Sequence, residues 1–117
     1  MQYEKAINFL KEHSYFHDSI VDKYIITNST FIDKKNSIVF KKNGWNDVEI
    51  LLSSQKGYKV KIRLIKARRM AIHELHELII FKVKLDKKND KIQFSLTGGF
   101  GENHTWFEAE NIEIEEI

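Results

Sequence analysis

Hydrophobic residues recur at every second position through most of this chain. In residues 57–64, Tyr58, Val60, Ile62 and Leu64 alternate with Lys59, Lys61 and Arg63. Leu75, Ile79, Phe81, Val83 and Leu85 nearly repeat the pattern, broken by Glu77. A period of two belongs to a strand with one buried and one wet face. Shorter alternating runs follow Val48, Ile50 and Leu52, then Ile92, Phe94 and Leu96, then Ile112 and Ile114 against Glu113 and Glu115. The start of the chain has another period. Tyr3, Ala6, Ile7 and Leu10 fall at i, i+3, i+4 and i+7, which predicts a helix over residues 2–12. Glu4 near its positive end and Lys11 near its negative end suit the helix dipole. Alone, a helix this short is unstable in water, so it is expected to lie across a sheet.

Polar turn residues separate the runs. Strands are expected over 20–27, 30–33 and 37–40, with a turn at Lys34-Lys35-Asn36 and a reversal at Asn43-Gly44. Residues 66–74 read as an extended, irregular connection between the two long runs. Asp86-Lys87-Lys88-Asn89-Asp90 reads as a turn, and Gly98-Gly99-Phe100-Gly101 as a break before a last strand over 104–116. Short polar turns join antiparallel neighbours, and no stretch is long enough for a crossover helix. The expected fold class is α+β: an N-terminal helix packed on a meandering antiparallel β-sheet of seven or eight strands, curled at most into a half-barrel. Residues 1–117 fit a single domain.

Composition narrows the function. The chain has no cysteine, which excludes disulfides, zinc–thiolate sites and a thiol nucleophile. It has no apolar segment near the roughly 20 residues of a membrane span and no signal-peptide pattern, so a cytoplasmic protein without a membrane partner is expected. Nineteen basic residues against seventeen acidic ones leave a net charge too small to mark a nucleic-acid binder. The distribution says more. Residues 56–69 carry seven Lys and Arg and no acid, whereas residues 108–116 carry five Glu and no base.

Motifs for chemistry are weak. His73-Glu74-Leu75-His76-Glu77 lacks the i, i+4 histidine spacing of a zinc-binding helix. His13 and His17 have that spacing but straddle the helix end, with no third ligand implied. The glycines from Gly98 to Gly101 lack the spacing of a nucleotide-binding loop. No serine stands in a nucleophile-elbow context. No metal, cofactor or catalytic residue is assigned. An enzyme would have to gather at least three of His17, Asp18, His73, His76 and His104 in one pocket.

The strongest surface feature is the basic stripe. If the two long runs were neighbours, Lys59, Lys61, Arg63, Lys82 and Lys84 would share one side of the sheet. Two readings stand: a solvated face balanced by the acidic last strand, or a binding face for an acidic partner. With Arg68, Arg69, and Trp45 and Trp106 as aromatic anchors, these are the candidate partner-binding residues. A small nucleic-acid module on the basic face is one alternative, and a histidine-based enzyme another.

Phe16-His17-Asp18-Ser19-Ile20 after a short helix, followed by hairpins and a last strand alternating Phe, Glu and Ile, resembles a broad group of small bacterial proteins, some of them similar to immunity proteins of polymorphic toxin systems. The resemblance implies a non-enzymatic protein that neutralises a cognate toxin by binding and occluding it. The resemblance assigns no residue-level mechanism; within this motif Phe16 is expected to be buried, with His17 and Asp18 locking the helix to the sheet.

Overall fold

The leading helix ends where its periodicity stops. The computed structural model describes residues 2–40, 45–72, 79–98 and 104–117, without the side chains of Phe81 and His104. Helix α1 (Gln2–Glu12) buries Ala6 and Leu10 and sets Tyr3, Ile7 and Phe9 against the core. His13 closes it: Nδ1 donates to the Phe9 carbonyl at 2.8 Å, and the imidazole stacks on the Phe9 ring with centroids 4.0 Å apart. The edge of Tyr58 meets the same imidazole at 5.0 Å.

A tight turn then reverses the chain. Ser14, Tyr15 and Phe16 all have φ between 53° and 56°, the left-handed region. That conformation costs about 1–2 kcal/mol per ordinary residue. Burial of the Phe16 ring, worth about 1.5–3 kcal/mol, offsets much of it. Asp18 N–H then donates to the Ile80 carbonyl, and Ile80 N–H donates to the Ser19 carbonyl. Phe16 is therefore core, as the motif implies. His17 and Asp18 sit at the junction with their side chains paired at 3.1 Å, each at least half-exposed.

Ten strands follow among the described residues: β1 (Ile20–Thr27), β2 (Phe31–Ile32), β3 (Ile38–Val39), β4 (Asn46–Ser53), β5 (Lys59–Ala67), β6 (Arg69–Ala71), β7 (Ile80–Lys88), β8 (Lys91–Gly98), β9 (His104–Ala109) and β10 (Asn111–Glu116). Every pairing is antiparallel. The first sheet has the order β1-β4-β5-β10 and the second β6-β9-β8-β7, while β2 and β3 form a separate hairpin.

Two bent strands join the sheets. β5 runs into β6 through a kink at Lys66, whose φ is 55°. β9 runs into β10 at Glu110, whose N–H donates to the Ile65 carbonyl. Residues 66–74 were expected to be an irregular connection. Up to Ala71 they instead continue the strand through a bulge into the second sheet, because the kink lets Arg68 N–H reach the Glu108 carbonyl. The order of strands is also not a plain meander: the last bent strand lies beside β5 and β6.

β7 carries a second change of phase. A bulge between Ile80 and Lys82 puts Ile80 rather than Ile79 into the core. The strand extends to Lys88, past the expected turn at Asp86, because left-handed Asn89 (φ 58°) allows a two-residue reversal with Asp90.

The inner faces make one core. Val60, Ile62, Leu64 and Ile112 of the first sheet join Val83, Phe94, Leu96 and Phe107 of the second, with Leu10 and Phe16 from the helical end. α1 packs along β10. The fold is α+β, its antiparallel strands curled around that core without closing. Among the described residues, one isolated bridge, Ile20 to Ile79, links the ends of β1 and β7 at the far edges of the strand order. Among the described residues no helix is long and apolar enough to cross a membrane. The expected Asn43-Gly44 reversal lies outside the described residues.

Candidate functional site

The basic stripe splits in two because β5 and β7 belong to different sheets. On the first sheet β10 lies directly beside β5. Register places Glu113 opposite Arg63 and Glu115 opposite Lys61. The side chains meet at 3.4 Å and 3.5 Å. At the bend, Glu110 takes both Arg68 at 3.0 Å and Lys66 at 3.6 Å. The Lys66 ammonium also lies 5.0 Å from the centroid of Trp45. Trp45 thus belongs to a charge network on the first sheet, whereas Trp106 lies on β9 of the second. Lys59 is exposed at the start of β5.

On the second sheet the outward positions form cross-strand rows. Lys84 faces Ser95, which faces Trp106, which faces Ala71. Lys82 faces Thr97, and Asp86 faces Gln93, which faces Glu108 opposite Arg69. Short side chains in mid-face, flanked by two long lysines and an indole, leave a hollow of about 470 Å³. Its lining is Lys82, Lys84, Gln93, Ser95, Thr97 and Trp106, with Asp86 at one end. Lys84 pairs with Asp86 at 3.5 Å, and Glu108 with Lys91 at 3.3 Å. Lys82 has no carboxylate partner among the described residues, so this is the less neutralised of the two basic faces.

A third region was not anticipated as a site. The β2–β3 hairpin pairs Phe31 with Val39 and Ile32 with Ile38. Its turn is held by the Asp33 carboxylate, which accepts from Lys35 N–H at 2.8 Å and Ser37 N–H at 3.0 Å. Its apolar side chains reach water: Phe31 is 47 %, Ile32 68 %, Ile38 62 % and Phe40 75 % exposed. Ile25 and Ile26 on neighbouring β1 are also exposed. The available signal was Phe31-Ile32 and Ile38-Val39-Phe40, consecutive apolar residues in strands too short to hide both faces. Such contiguous apolar exposure marks interaction surfaces.

Of the histidine set required for an enzyme, His73 and His76 lie outside the described residues, and His104 is placed only by its backbone at the start of β9. Residues 99–103 of the glycine-rich stretch also lie outside them; Gly98 ends β8. Among the described residues no group of three or more His, Asp or Glu side chains is placed to hold a metal ion.

One buried polar group spans the two sheets. Tyr24 of β1 lies with its ring 6.1 Å from that of Phe107 in β9. Its hydroxyl is buried without a well-formed hydrogen bond. Burial pushes the phenol above its ordinary pKa of 10.0, and the neighbouring Thr105 hydroxyl opposes this only in part. No family model matches this chain, and neither a curated protein nor a solved structure does.

Proposed function

We propose that this is a non-enzymatic binding protein of the immunity-like kind, which neutralises a partner protein by covering its working surface. The carrying observation is the β2–β3 hairpin, which holds Phe31, Ile32, Ile38 and Phe40 in water. Exposed aromatic and aliphatic side chains of this size cost free energy in an isolated protein and return it when a partner removes them from water. The neutralised cations of β5 also favour a protein over a polyanion, since Lys61 and Arg63 already face carboxylates. The resemblance around Phe16-His17-Asp18-Ser19 points the same way. In this reading the hairpin inserts into the partner.

The test is to read the neighbouring gene and, where it encodes a toxin domain, to co-produce the two; a neighbourhood without one counts against the immunity reading. The unaltered chain is expected to restore growth and co-purify with that domain. A Phe31→Ser, Phe40→Ser double variant is expected to lose at least about a hundredfold in affinity, the scale of a central interface anchor. Its unfolding midpoint should stay within the shift of about 0.5 kcal/mol usual for surface changes. Undiminished protection by the double variant would remove the hairpin from the mechanism. Absence of any complex with the unaltered chain would end the immunity reading.

A further inference from the structure

The outer face of the second sheet carries a feature that the hairpin does not need. Three of the hollow-lining side chains are the hydroxyls of Ser95 and Thr97 and the amide of Gln93. None of them makes a side-chain hydrogen bond within the described residues. Lys82 stands beside them without a carboxylate partner among the described residues, and Trp106 closes the opposite side. Among the described residues Lys82, Lys84, Arg69 and Lys91 outnumber Asp86 and Glu108 on this face, and Asp86 is engaged by Lys84. The face is therefore complementary to an anion. An aromatic platform and the Lys82 ammonium, two strands and two residues apart on a diagonal, about 12 Å between backbones, leave room for one ring with one anionic group beside it. The hollow's 470 Å³ lies within the range of about 300–1,000 Å³ found for small-molecule sites.

We infer that this hollow binds a nucleoside phosphate, either free or as one unit of a single strand. The base stacks on Trp106, as bases do on exposed indoles. The phosphate meets Lys82, with Lys84 as a second and weaker contact because Asp86 shares it. Ser95, Thr97 and Gln93 offer donors and acceptors to the sugar and the base edge. A bare sugar would leave Lys82 unanswered, and inorganic phosphate would leave the indole unused. The open, solvated site sets the affinity in the range of about 0.1–1 mM for one unit.

The sequence contains two tryptophans, so a Trp45→Phe variant makes Trp106 the sole indole reporter. Its fluorescence is titrated with adenosine monophosphate, with adenosine, with inorganic phosphate and with a single-stranded oligoadenylate. Saturable quenching by the monophosphate is expected, about tenfold weaker for adenosine, with no change from inorganic phosphate. Lys82→Ser should weaken monophosphate binding about tenfold. Tighter, salt-dependent binding of the oligoadenylate identifies a single strand as the source, and equal affinity for both identifies the free nucleotide. No saturable response to either adenylate, or equal affinity in the Lys82→Ser variant, overturns the inference. The hairpin double variant should bind the monophosphate unchanged, so failure of the occlusion reading leaves this site standing.

Discussion

β5 and β7 carry similar rows of basic residues but meet different neighbours. In the first sheet the row lies against the glutamates of β10, and Lys61 and Arg63 each face a carboxylate. In the second sheet Lys82 and Lys84 lie against the small hydroxyl residues Thr97 and Ser95, and an indole, Trp106, follows in the row of Lys84. The difference lies in pairing, since what stands opposite a charge decides whether it is balanced at home or left for a partner. Behind these unlike outer faces, the inner faces are the same: one apolar core.

The sharpest way to break that contrast is through the core. Phe94→Ala in the second sheet is expected to cost about 3–5 kcal/mol and Ile62→Ala in the first about 2–5 kcal/mol. If the inner faces form one unit, both variants shift a single transition in urea, read by circular dichroism and by tryptophan fluorescence together. Two separate transitions would mean that the sheets unfold independently.

A smaller effect is expected at Tyr24, which reaches from the first sheet to the second. Its phenol is held neutral by burial, so the folded pKa exceeds the unfolded value near 10.0. Between those values the native state holds a proton that the unfolded state releases. Stability is therefore full below pH 10.0 and falls as pH rises toward the folded pKa. Tyr24→Phe should remove this loss, flattening the alkaline limb of an unfolding series. At neutral pH it should change stability by no more than about 1 kcal/mol, because the hydroxyl makes no well-formed hydrogen bond. An unchanged alkaline limb would place the loss on other groups.

The smallest effects belong to the outer faces. A double-mutant cycle on Arg63 and Glu113 should return about 0.2–1 kcal/mol, as for exposed ion pairs. Lys82→Ala should leave stability unchanged within about 0.5 kcal/mol. A Lys82→Ala loss well above that limit would mean that Lys82 too is balanced at home, erasing the distinction between a balanced and an open basic face.

Much of the fold was legible because burial here follows simple periods. Ala6, Leu10, Val60, Ile62, Ile92 and Phe94 are buried as their spacing requires. What failed to show depends on pairing between distant segments. Nothing in residues 57–64 alone indicates that Glu113 and Glu115 will stand beside them, or that β7 will join another sheet. Left-handed Lys66 and Asn89 redirected the chain, and neither is a glycine. Of the candidate binding residues, Lys82, Lys84 and Trp106 converge on one hollow. Lys61, Arg63, Arg68 and Trp45 are drawn into contacts on the first sheet. The floor residues Ser95 and Thr97 were missed because short hydroxyl side chains on a wet strand face carry no local signal, and they matter only between longer neighbours.

The two bent strands have a consequence for synthesis. Residues 59–71 appear early, yet their partners at 104–116 emerge from the ribosome more than thirty residues later. Until then β5 lacks β10, β6 lacks β9, and α1 has no β10 to lie along. The nascent chain must therefore hold much of its apolar surface unsatisfied until that segment arrives, and stalled chains ending before residue 104 should be protease-sensitive and bound by chaperones.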